Sequence, residues 1–146
     1  MNNRIFLAAP ISGFANEYEY KNYRINVMKL ISFLRENGYE VFSEIECISG
    51  SKAYDSPATS IEKDFKDIAS SDYFLFLHPM RIQSSSLIEY GYACALNKKI
   101  VSVGRRRDFP YLIIGYEEFS DKSIIVETEN ISEEYYLQIL MALKSL

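Results

Sequence analysis

Tyr73-Phe74-Leu75-Phe76-Leu77, followed after a short break by Ser84-Ser85-Ser86-Leu87-Ile88-Glu89-Tyr90-Gly91-Tyr92-Ala93, decides the architecture of this chain. Five apolar residues without alternation mark a strand buried on both faces, as strands of parallel sheets are. The serines form a hydroxyl-rich turn. The amphipathic segment behind them runs to Asn97, where Asn97-Lys98-Lys99 supplies a cap and cations for a helix end. A strand therefore feeds a polar turn and then a helix, with Glu89 near the start of that helix.

The same unit recurs in both directions. Upstream, Arg4 to Ala9 is a continuously apolar strand ending at Pro10-Ile11-Ser12-Gly13. A helix from about Glu17 to Asn37 carries Tyr23, Val27, Leu30, Ile31 and Leu34 on one stripe and stops at Asn37-Gly38. Tyr39 to Phe42 is a second strand, and Glu44 to Ala58 reads as an irregular loop. Thr59 or Ser60 is the expected cap of a helix through Ser70, with Ile61, Phe65, Ile68 and Ala69 facing inward. Downstream come a strand at Ile100 to Val103, an apolar segment from Phe109 to Phe119, a strand at Ser123 to Val126 and a helix to Leu146.

Strict strand–helix alternation predicts one α/β domain over residues 1–146. Its expected core is a doubly wound, mostly parallel five-stranded sheet of flavodoxin-like or Rossmann-like type. The strand order would be 2-1-3-4-5, with helices on both faces.

Composition narrows the function classes. The net charge of −4 lacks the basic footprint of a general nucleic-acid binder. No apolar run is long enough to span a membrane, and the N-terminal residues show no signal-peptide plan. Cys47 and Cys94 are far apart and His78 is the single histidine, so no metal site of the His/Cys kind is expected. The expectation is a cytoplasmic protein without metal. Neither G-x-G-x-x-G nor G-x-x-x-x-G-K-[ST] occurs, which disfavours a dinucleotide oxidoreductase or a P-loop enzyme, and no cofactor is expected.

Ligands of open α/β sheets bind beyond the carboxyl ends of the strands. Four loops meet there: Ala9-Pro10-Ile11-Ser12-Gly13, Ser43 to Ala58, His78 to Ser86, and Gly104 to Asp108. Glu89 is either a reactive carboxylate at that edge or a favourable charge at a helix start. Asp64 and Asp67 read as solvated helix charges unless Asp64 turns toward the edge, and Asp72 as a turn residue. Ser84, Ser85 and Ser86 serve as a helix cap or as an anion site. Arg105, first of three arginines after the fourth strand, is a candidate phosphate contact. His78 reads as structural, and the tyrosines as core or interface residues with one or two free to stack on a base.

Phe6 to Gly13, Asp64 eight residues before Asp72, and Ser85 to Ala93 followed by Lys98-Lys99-Ile100-Val101 together resemble the nucleoside 2-deoxyribosyltransferase superfamily. That superfamily includes base-exchanging transferases and 2′-deoxynucleoside 5′-monophosphate N-glycosidases. The resemblance implies that Glu89 attacks C1′ of a nucleoside or nucleotide and forms a glycosyl ester. It also implies that Asp64 handles the base and its proton. Six residues before the glutamate, transferases carry Asp and the monophosphate hydrolases Ser, whereas this chain has Gln83, and it has Ser12-Gly13-Phe14 where the hydrolases carry a first-loop arginine. The substrate-contacting set expected from these loops is Ala9, Pro10, Ser12, Gly13, Gln83, Ser84, Ser85, Ser86 and Arg105.

The function expected is cleavage or transfer of an N-glycosidic bond, with hydrolysis of a phosphorylated substrate preferred. The alternative is a catalytically idle nucleotide-sensing module of a signalling or defence assembly. A third reading is an interaction domain that uses its tyrosines in oligomer contacts. The resemblance further implies a homodimer or larger homo-oligomer, for which Phe109 to Ile114 and the tyrosine-rich helices are candidate surfaces.

Overall fold

A computed structural model describes residues 3–47 and 56–146. Among the described residues five strands, β1 (Arg4–Ala8), β2 (Glu40–Phe42), β3 (Tyr73–His78), β4 (Lys99–Gly104) and β5 (Ser123–Glu127), pair in parallel in the order β2-β1-β3-β4-β5. The expected flavodoxin-like order is the one observed. The α-helices among the described residues are α1 (Glu17–Glu36), α2 (Pro57–Ser70), α3 (Ser86–Ala95), α4 (Tyr111–Phe119) and α5 (Tyr136–Ser145).

The continuous apolar strands are explained by their two faces. Side chains alternate across a strand, so Phe6, Phe74 and Phe76 point to one layer and Leu7, Leu75 and Leu77 to the other. The leucine face packs against α1 and α5 through Val27, Leu30, Ile31, Leu34, Ile139 and Leu143. The phenylalanine face packs against α2, α3 and α4 through Ile68, Tyr90, Ala93 and Ile113. The stripe read on α1 is buried throughout.

Several local expectations change. The α2 cap is Ser56, whose Oγ accepts from the Thr59 N–H at 3.3 Å. Pro57 occupies the first helical turn, where its fixed φ and missing N–H cost nothing, so the helix begins ahead of Thr59. Of its expected inward residues Ile68 is buried and Phe65 half-buried, while Ile61 and Ala69 are exposed. The loop from Glu44 opens with a 3-10 turn, Glu44–Glu46, and its residues 48–55 lie outside the described residues. The segment after Phe109 is a helix, with Tyr111, Leu112 and Phe119 exposed. Asp72 is structural: its carboxylate accepts from the Arg4 N–H at 3.0 Å and its own N–H donates to Arg4 O, pinning β1 to the chain entering β3.

Two glycines separate a packing constraint from mere tolerance. A methyl on Gly104, at the end of β4, would collide with the His78 carbonyl oxygen at the paired end of β3. Gly115, inside α4, has open space around it. Gly115→Ala is expected to stabilise the protein by up to about 1 kcal/mol through helix propensity. Gly104→Ala is expected to destabilise it by about 1–3 kcal/mol through forced backbone displacement. Urea unfolding of both variants measures the signs; a neutral Gly104→Ala contradicts this packing.

Candidate active site

At the carboxyl edge of the sheet, a cavity of about 410 Å³ opens between the end of β1, the turn after β2, α2 and the start of α3. Its floor is apolar, from Phe6, Leu7 and Ala8, and Phe65, Ile61 and Ile88 continue that character up the walls. Its polar groups are Ser12, Ser60, Ser84, Ser85 and Ser86 with three carboxylic acids, Glu44, Asp64 and Glu89. Among the described residues no lysine, arginine or histidine lines it. A cavity of this volume is of the size that takes a small ligand.

Three elements bring the acids together. Glu44 sits on the 3-10 turn after β2, Asp64 on α2 and Glu89 in the first turns of α3. The α2 and α3 helices are held in register by Phe65 and Tyr92, whose rings stack with centroids 3.9 Å apart and planes 6° from parallel. Phe65 is the neighbour of Asp64, and Tyr92 lies one helical turn beyond Glu89, so this stack sets where the two acids face each other. At the far end of the helices Lys98 Nζ donates to the Ala69 and Ser71 carbonyl oxygens at 2.8 and 2.6 Å, satisfying the C-terminus of α2.

The surroundings favour protonated acids. Burial pushes the Glu89 carboxyl up to about 8, reinforced by the negative charges of Asp64 and Glu44. Burial also pushes Asp64 up to about 7, with further contributions from the Glu44 charge and a hydrogen bond to Glu44, opposed by Lys63. These are the effects expected when like charges share a desolvated site. Because both values rise on folding, protonation of these groups stabilises the fold at acid pH. That contribution is lost as pH rises through about 7 for Asp64 and about 8 for Glu89.

The serine turn is only partly spent on capping. Ser85 takes the N-cap position of α3 without a side-chain cap bond, and Ser84 Oγ accepts from the Ser86 N–H at 3.3 Å. The Ser85 hydroxyl makes no such bond and stands at a helix N-terminus, where anions are favoured.

Of the residues expected from the sequence, Glu89, Asp64, Ala9, Ser12, Ser84, Ser85 and Ser86 line the cavity. Pro10, Gly13 and Gln83 do not line it. Gly13, at φ +87°, instead lets the first loop lie against Ile82. Arg105 is also outside the wall, its Nε 2.6 Å from Asp108 Oδ2, and Arg106 pairs with Glu117 at 2.7 Å. The arginine run thus holds the β4–α4 connection together. His78 is structural as expected: Nε2 lies 3.0 Å from Asp108 O, the ring packs between Phe76 and Phe109, and burial lowers its pKa. Glu44 was missed by the sequence reading; the signal for it was an acid two residues past a strand, at the ligand edge.

No family model matches the chain, and no curated protein matches it in sequence. Solved structures do. The CMP N-glycosidase BcmB of Clostridium botulinum superposes with a TM-score of 0.73 at 25% identity, covering 95% of this chain and 98% of that one. BlsM, solved in solution, gives 0.81 at 21% identity over 99% and 91% of the two chains. A conserved protein of Enterococcus faecalis V583 gives 0.57 at 16% identity over 97% and 99%. The last two, at their identity, speak to the fold alone. The resemblance to the nucleoside 2-deoxyribosyltransferase superfamily is borne out by a structural neighbour of this chain, the CMP N-glycosidase BcmB, which belongs to that superfamily.

Proposed function

We propose that this protein is a nucleotide N-glycosidase that works through a covalent intermediate on Glu89. The observation that carries the reading is the convergence of Glu89 and Asp64 on one apolar-floored cavity, in a chain whose neighbour BcmB is a CMP N-glycosidase. Ionised Glu89 attacks C1′ as the C1′–N bond breaks, and the electron pair of that bond passes into the base, which takes the proton of Asp64. Water then attacks C1′, giving up a proton to Asp64 and releasing Glu89 as a carboxylate. A carboxylate stabilises the oxocarbenium-like centre, and the acid spares the base from leaving as an anion. The Ser84–Ser86 turn is the candidate phosphate holder. Tyr111, Leu112 and Phe119 offer an apolar face for self-association.

The elevated Glu89 favours one rival, a nucleotide-sensing module without turnover, because a protonated carboxyl is no nucleophile. Chromatographic assay for free base after incubation with CMP and cytidine separates the two. Release of cytosine, faster from CMP than from cytidine and lowered at least about 1,000-fold in Glu89→Gln, is the expected result. Binding of CMP without any release supports the sensor, and release at the wild-type rate by Glu89→Gln overturns the mechanism.

The reactive form needs Glu89 ionised and Asp64 protonated, and this is one tautomer of the singly protonated pair. Accordingly kcat/KM should follow a bell, rising through about 7 and falling through about 8. A profile flat from about pH 5 to about pH 9 contradicts this proton arrangement.

A further inference from the structure

Glu44 has no part in breaking the glycosidic bond, yet its side chain is only 20% exposed and lines the same cavity. Its negative charge reaches the Asp64 carboxyl, which lines the same wall, and raises it. Two carboxylates crowded on one desolvated wall disfavour the ionised form, so a proton held at Asp64 relieves the pair. Lys63 Nζ stands 3.3 Å from Glu44 Oε1, an ion pair rather than an aligned hydrogen bond. That cation pairs with the Glu44 charge, and the same charge raises Asp64. Asp64 Oδ1 is buried and finds no donor among the described residues. The wall thus presents an O–H donor beside an anionic acceptor, on two separate elements, facing an apolar floor.

We propose that Glu44 is a specificity-determining residue that, with Asp64, selects an amino-bearing base over its oxo counterpart. This rests on the N-glycosidase reading. Protonated Asp64 donates to a ring nitrogen, and the Glu44 carboxylate accepts from the exocyclic amino group next to it, as on the N3/N4 edge of cytosine. Uracil turns an N–H toward the Asp64 O–H and a carbonyl oxygen toward the Glu44 charge, so both contacts are repulsive. Moving the proton to Glu44 would accommodate uracil, but Lys63 opposes that shift. Sites built on such paired polar contacts reject the mismatched analogue strongly, because buried groups are left unpaired. The same hydrogen bond puts the Asp64 proton on N3, where the electron pair from the breaking C1′–N1 bond is delocalised.

Base release from CMP and UMP, and from dCMP and dUMP, tests this in the wild type and in Glu44→Gln. An amide can turn to serve either edge, so Glu44→Gln keeps the shape of the wall and loses its polarity. The wild type should favour the cytosine substrates by about 100-fold or more, and Glu44→Gln should narrow that ratio to within about tenfold. Equal release of uracil and cytosine by the wild type overturns the proposal while leaving the N-glycosidase reading intact. So does a Glu44→Gln variant that slows both substrates alike. If no nucleotide is cleaved, the N-glycosidase reading fails, and calorimetry with free cytosine and uracil decides the selection separately. Tighter binding of cytosine, lost in Glu44→Gln, supports it; equal binding or none overturns it. Thermal melting checks that the variant folds, and Glu44→Asp, which keeps the charge and should retain the preference, replaces it if it does not.

Discussion

Three carboxylic acids, Glu44, Asp64 and Glu89, share one partly desolvated cavity, where Asp64 and Glu89 are pushed up to about 7 and about 8. Burial raises Asp64 and Glu89, and the negative charges beside them add to the effect. Nothing in the hydrophobic core asks for them: the two layers on either side of the sheet close without a carboxylate. Their placement follows from strand order. With β1 and β3 adjacent and β2 at the edge, the chain leaving β1, the turn after β2 and the start of α3 open on one crevice. The Phe65–Tyr92 stack then fixes α2 against α3.

This arrangement gives the site a stored proton. A glycosidic bond to a base breaks easily only if the leaving ring is protonated as it goes, and only if something stabilises the carbon left behind. In the proposed mechanism Asp64 holds that proton in reserve at neutral pH, and the cost is that Glu89, the proposed nucleophile, stays partly protonated. A bound substrate that takes the Asp64 proton removes that conflict. Lys63, outside the cavity wall, stands 3.3 Å from Glu44 and opposes the rise at Asp64.

The fold was legible because its signals are local and redundant. Five non-alternating apolar strands, spaced by amphipathic helices, leave few alternatives to a doubly wound parallel sheet. Glu89 and Asp64 were legible as candidates through the motif resemblance together with the edge rule. Glu44 was not, because an acid in a polar loop looks like any solvated charge until the turn of β2 carries it against Asp64. Arg105 misled for the converse reason: a cation at the ligand edge reads as a phosphate contact, yet Asp108, three residues on, is close enough to claim it. Ser56 was hidden by the serines and threonines around it, with Pro57 the clue that it starts the helix.

The central claim is that the sugar passes through a bond to Glu89. Rapid-quench mass spectrometry of the protein turning over dCMP, followed by peptide mapping, tests it directly. The account predicts a transient deoxyribosyl-phosphate adduct on the peptide carrying Glu89, absent in Glu89→Gln. Steady release of cytosine with an adduct on another residue, or with the same turnover and no adduct under single-turnover trapping, contradicts it.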